Sequence, residues 1–116
     1  MEVDWYHCKG GFWCELNKID LNHPHLDDIS GVYIIWCGTS ERSVLRIGAG
    51  NIRAELYKNR FDIAIQAFTR LGIYVTWAEV PPDKRNGVEY YLIKELIPKF
   101  TKLPAKQGAV KVNLPW

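Results

Sequence analysis

GVYIIWCGTSERSVLRIGAG, residues 31–50, decides the fold. Its first eight residues are almost continuously apolar, β-branched or aromatic, the make-up of a central strand covered on both faces. GTSERS supplies a turn, and SVLRIGAG returns as a second strand. The link is too short for a crossover, so the two strands must pair antiparallel.

On the C-terminal side, residues 51–60 switch to helical preference, with Asn51 placed to cap the helix. FDIAIQAFTRL predicts a second helix ending at Gly72, and GIYVTWAEV a third strand. PPDKRNG reads as the stop after that strand. GVEYYLIKELI reads as the last helix, ended by Pro98. The tail is irregular, but its final VNLPW is apolar enough to pack back on the body. On the N-terminal side, DWYHCKGGFWCEL has aromatic-rich arms around Gly10-Gly11 and predicts a β-hairpin. DLNHPHLDDISG then reads as loop, broken by Pro24. The expectation is an α+β domain: a small three-stranded antiparallel sheet flanked by helices over residues 30–116, preceded by a hairpin-and-loop extension over 1–29.

Composition sets bounds on function. The chain has 116 residues, 47% hydrophobic and 13% aromatic, enough for one compact core. No apolar run approaches the roughly 20 residues that span a bilayer. The N-terminus lacks the basic-then-apolar layout of a signal peptide, so a soluble cytoplasmic protein is expected. A net charge of +2 does not by itself argue for nucleic acid. Arg42, Arg46, Arg53, Lys58 and Arg60 nevertheless crowd one stretch, as a phosphate-binding strip or a solvated helix face would. Three cysteines is an odd number and fits reduced thiols in a cytoplasm. Cys8, Cys14, His23 and His25 suggest zinc, but the C-x5-C spacing matches no tight zinc knuckle, so zinc is disfavoured. A disulfide between Cys8 and Cys14 is disfavoured further.

One carboxylate stands out. On a helical wheel of about 100° per residue, Val88, Leu92, Ile93 and Leu96 form the apolar stripe of the last helix, and Glu89 falls inside it. A carboxylate aimed at the sheet needs a partner or a cleft. Structural pairing and a role as ligand to a hard divalent cation both meet that need.

RIGAG is a poor phosphate cradle. It lacks the third glycine of a dinucleotide fingerprint and the Gly-Lys-Ser/Thr ending of a P-loop. The order of motifs fits something else. Gly31-Val32-Tyr33, Arg46-Ile47-Gly48, a helix from Asn51, Glu89 in the last helix and Asn113 in VNLPW together resemble the GIY-YIG nuclease domain over residues 30–116. That resemblance implies a phosphodiester-cleaving site on DNA with Mg2+ or Mn2+ at Glu89. In it Tyr33 activates water, an arginine of the first helix clamps phosphate, and a His or Tyr lies one turn onward. Gly31, Gly48 and Gly50 are its structural glycines, turning the backbone tightly beside the site.

The chain departs from the pattern where the chemistry lies. Arg46 stands where the second tripeptide has Tyr. If Ile52 and Leu56 are buried, Glu55 occupies the arginine position and Asn59 the His/Tyr position. In another register Arg53 and Tyr57 share a face and restore clamp and helper. Arg53 and Glu55 lie about 160° apart, so only one faces the cleft. The candidate catalytic set is therefore Tyr33, Arg46, Arg53, Tyr57 and Glu89, and the candidate nucleic-acid set is Arg46, Arg53, Lys58, Arg60 and Asn113. Two functions follow: a metal-dependent DNA endonuclease, or a catalytically inactive module on the same scaffold that binds nucleic acid or protein.

Overall fold

A computed structural model describes all 116 residues. Its centre is the predicted hairpin, β2 (Ser30–Cys37) and β3 (Ser43–Asn51), paired antiparallel with Tyr33 opposite Gly48. The third predicted strand, β4 (Ile73–Glu79), pairs antiparallel with β2 on its other side and sets Trp77 opposite Tyr33. The sheet has four strands, not three: β1 (Cys14–Glu15) joins the outer edge of β4, giving the order β1-β4-β2-β3. This strand is the second arm of the predicted hairpin, paired with β4 instead of with the first arm.

The N-terminal segment runs beside β4 through Tyr6 N–H to Trp77 O, 2.9 Å. A tight turn at Lys9–Gly11 follows, closed by Cys8 N–H to Phe12 O, 2.8 Å. Of the predicted hairpin, only the Cys14–Glu15 arm is a strand. The turn is crosslinked: Cys8 and Cys14 form a disulfide, with Cα atoms 5.1 Å apart, and Cys37 alone is free and buried. This corrects the expectation of three reduced thiols. Counting cysteines misses the pairing because Gly10 and Gly11, both at positive φ, fold the chain back within six residues.

Helix α1 (Ile52–Arg60) begins at once after β3, with the Asn51 side chain accepting from Ala54 N–H at 3.0 Å. α2 (Ile63–Gln66) is a short helix capped by Asp62, and a 3-10 turn (Thr69–Leu71) replaces the rest of the predicted second helix. α3 (Pro82–Leu96) starts five residues before the predicted GVEYYLIKELI segment. Pro81-Pro82 begins this helix because a proline at its first position gives up only an N–H that has no helical partner.

The two sheet faces bury separate cores. Tyr33, Ile35, Val75 and Trp77 meet Ile52, Leu56, Ile65, Leu16 and Leu26 from α1, α2 and the extension. Val32, Ile34, Trp36 and Ala78 meet Val88, Leu92 and Ile93 of α3, with Val3, Trp5 and Val112 from the two ends of the chain. No helix is long and apolar enough to cross a membrane.

Candidate functional site

Gly48 sits inside β3, not in a turn, and its lack of a side chain makes room for Tyr33. A Cβ built there would lie 2.4 Å from the tyrosine hydroxyl. Gly31 is required for a different approach, since a Cβ there would meet the Ala78 carbonyl oxygen at 1.9 Å. The strand runs on through Gly50, at φ +139°, into the Asn51 cap. The expected tight turn at these glycines is thus corrected: they admit a tyrosine ring and a neighbouring strand.

The Tyr33 ring crosses Gly48 and reaches α1. Ile52 and Leu56 are fully buried, which turns Glu55 toward the sheet. The Tyr33 hydroxyl donates to Glu55 Oε1 at 3.1 Å and accepts from Asn59 Nδ2 at 3.3 Å. Asn59 also donates to the Glu55 carbonyl at 2.8 Å and accepts from Arg46 Nη1 at 2.9 Å. The same Arg46 nitrogen donates to Asp62 Oδ2 at 2.7 Å. Lys58 closes the far end on Glu55 Oε2 at 2.9 Å. β2, β3, α1 and the α2 cap thus share one polar chain, in which buried Asn59 finds partners for both its amide oxygen and its nitrogen.

Electrostatics follow from this geometry. Burial, reinforced by the Glu55 carboxylate, pushes the Tyr33 hydroxyl well above the usual tyrosine range, against a smaller opposing pull from the Asn59 donor. The hydrogen bond from Arg46 holds Asp62 below the usual carboxylate range. Glu89, half-buried on α3, is raised by burial first and then by the charge of Glu55. α1 and α3 pack on opposite faces of the sheet. No hydrogen bond links Glu89 to Tyr33, and neither residue lines any of the main cavities.

The remaining candidates do not converge on Tyr33. Arg53 faces the extension, donating to Leu21 O at 2.7 Å, His23 O at 3.0 Å and Asp27 Oδ1 at 2.6 Å. Arg60 donates to Leu16 O at 2.8 Å and also to Ile19 O. These two guanidiniums clasp residues 16–27 onto α1. Tyr57 lies exposed against Phe61, ring centroids 5.1 Å apart. Asn113 bonds both Val3 N–H, 2.7 Å, and Val3 O, 3.0 Å, and so ties the two chain ends together. His23 and His25 contact each other through Nδ1 at 3.0 Å, while Cys8 and Cys14 are occupied by their disulfide. No group of three or more metal-binding side chains converges anywhere.

Asp62 is absent from the candidate set, and Asn59 enters the sequence reading only as the residue at the His/Tyr position of the register that buries Ile52 and Leu56, which is the register adopted. Asp62 was legible as an N-cap before IAIQ, though not as the partner of Arg46. Asn59 lies one helical turn from Glu55, and that spacing marks its position, though not its bonds to Tyr33 and Arg46. Comparison with known protein families, with characterised proteins and with solved structures finds no match to this chain.

Proposed function

We propose that this chain is a GIY-YIG-type domain that does not hydrolyse phosphodiesters and serves as a protein-interaction module. One observation carries the reading: where the nuclease pattern asks for a phosphate-clamping guanidinium there is a carboxylate, Glu55, bound to the Tyr33 hydroxyl. A buried tyrosine whose pKa is raised, and which donates to a carboxylate, is a poor general base. Every nearby arginine is engaged: Arg46 by Asp62 and Asn59, Arg53 and Arg60 by the extension. The exposed apolar side chains Tyr57, Phe61 and Ile63 at the α1–α2 corner suit a protein partner better than a phosphate backbone.

Glu89 is the observation that favours the competing reading, a metal-dependent endonuclease. Its half-buried carboxylate has no hydrogen-bond partner, and Glu55 is near enough to raise its pKa. One or two carboxylates plus water and substrate oxygens are donors that Mg2+ or Mn2+ accepts, so Glu89 and Glu55 fit such an ion. When bound, it would supply charge stabilisation at a phosphate.

Supercoiled and branched DNA incubated with Mn2+ separates the two. The interaction module predicts no nicking above a Glu89→Ala control and no salt-dependent DNA binding at physiological ionic strength. Nicking that disappears in Glu89→Ala or Tyr33→Phe establishes the nuclease. Cleavage-free binding that weakens steeply with salt establishes a nucleic-acid module instead.

A further inference from the structure

The edge of the sheet away from the acidic network carries a cleft of about 640 Å³ between the N-terminal turn, β1, the Pro24–Leu26 turn and β4. Its main walls are Tyr6, Phe12, Trp13, His25, Leu26 and Trp77. The size lies within the roughly 300–1,000 Å³ of small-molecule sites. Tyr6 lies parallel to Trp77, centroids 4.5 Å apart and planes 10° apart, and stacks on His25 at 4.7 Å and 15°. Phe12 stands at the mouth, 75% exposed, a large ring with little protein against it.

The polar groups narrow the choice of ligand. The charged residues of the lining cancel, Lys9 and Lys18 against Glu15 and Asp20, and Lys18 is paired with Glu15 at 3.3 Å. Burial, then the neighbouring His23 and Arg53, hold His25 below the usual histidine range, so it adds no charge at neutral pH. Trp77 is 4% exposed and its indole N–H has no acceptor within the protein. That N–H is not sealed in, because Arg85 Nε is the one fully buried side-chain nitrogen or oxygen without a partner. Trp77 borders both this cleft and a second one that shares Tyr6 and His25 with it, and its ring carries a single donor.

We propose that this cleft binds a neutral planar heteroaromatic molecule, the class to which free purine bases belong. The ligand stacks against the aromatic wall at Phe12 and accepts a hydrogen bond from the Trp77 indole. An aliphatic ring gains neither the stacking nor the hydrogen bond. The site is independent of the Glu55–Glu89 region, so failure of either reading leaves the other intact.

The test is a titration of the full-length, 15N-labelled, disulfide-intact protein with adenine, following indole and backbone N–H resonances. Cyclohexanol serves as the aliphatic control. Saturable shifts at Trp77, Trp13 and their neighbours are expected with adenine alone. Phe12→Ala, at an exposed turn tip where folding is undisturbed, should weaken binding about fivefold through lost stacking. Trp77→Phe, which keeps a ring but loses the donor, should weaken it by about the same factor. Absence of saturable shifts with adenine, equal shifts with cyclohexanol, or unchanged affinity in Phe12→Ala overturns the proposal. Unchanged affinity in a folded Trp77→Phe also overturns it. If Trp77→Phe does not fold, Phe12→Ala decides.

Discussion

Gly48→Ala tests whether the space above β3 exists to hold Tyr33. The new methyl would lie 2.4 Å from the Tyr33 hydroxyl oxygen, 2.6 Å from Cζ and 2.7 Å from Cε1. Carbon atoms settle near 3.5–4.0 Å, so the ring must move by about 1 Å. The ring is 3% exposed and cannot swing into solvent. Overpacking of this kind costs about 1–3 kcal/mol. Stretching the bond to Glu55 adds about 1 kcal/mol, and losing a strand glycine returns about 0.5–1 kcal/mol. The net expectation is destabilisation by about 2 kcal/mol. For a domain with an m-value of about 2 kcal/mol/M in urea, the midpoint then falls by about 1 M. The same change in a Tyr33→Leu background meets no distal ring atoms, so there it should stabilise by about 0.5 kcal/mol relative to its parent. Urea unfolding followed by tryptophan fluorescence measures all four proteins. A Gly48→Ala midpoint equal to wild type, or the same cost in both backgrounds, refutes the packing argument.

Reducing the Cys8–Cys14 disulfide releases a loop with a sequence separation of 6, which chain entropy values at about 2 kcal/mol. Urea midpoints with and without reductant should differ accordingly, and Cys37, buried and with its thiol pKa pushed up by burial, should stay unreactive until the protein unfolds. Arg60→Ala strands the carbonyls of Leu16 and Ile19 and should cost about 2 kcal/mol. Limited proteolysis within residues 16–29 should accelerate in Arg60→Ala and not in Arg70→Ala, a change at an exposed, unbonded arginine. Glu89→Gln tests the half-buried, unpartnered carboxylate. The folded state holds the Glu89 proton more tightly than the unfolded chain, so wild-type stability falls as pH rises above the ordinary carboxylate value of 4.5. Melting temperatures of wild type and Glu89→Gln should therefore converge in acid and separate toward neutral pH, with the variant the more stable.

The sequence revealed the parts of the fold that are written locally. β2 and β3 are legible because an apolar β-branched run, a short polar turn and a second run admit one arrangement. α1 is legible from Asn51 and from the spacing of Ile52 and Leu56. What stayed hidden depends on partners distant in the chain. Residues 82–86 read as a stop, yet α3 begins at Pro82 and carries Gly87 past the point where the tail crosses. A Cβ at that position would lie 2.6 Å from Val110 Cγ2 and 2.7 Å from the Gly108 carbonyl oxygen. Periodicity set Glu89 on the inner side of α3, but the helix covers the face opposite Tyr33, and the wheel carries no information about which face a helix takes. Arg53 and Arg60 read as a basic strip because sequence shows the charge and not the carbonyls waiting across the gap.

Position 55 then matters more than the general basic character of α1. Around Tyr33 the carboxylates of Glu55 and Asp62 face the cations of Arg46 and Lys58, and both cations are already paired. At about 4 Å, two unit charges interact by about 1 kcal/mol in a water-like medium and about 4 kcal/mol at a typical protein surface. Exchanging an arginine for a glutamate at a phosphate contact shifts binding by twice that, about 2–8 kcal/mol against the anion. Glu55→Gln should remove half of this penalty and free the Lys58 ammonium. At low ionic strength, duplex DNA should then bind about fivefold more tightly than to wild type, taking the water-like limit of about 1 kcal/mol. Fluorescence anisotropy with a labelled duplex reads this ratio, and Lys58→Gln in the same background should reverse it. Equal affinities for wild type and Glu55→Gln would show that the carboxylate does not guard this surface, and the case against a phosphate ligand would then rest on the engaged arginines alone.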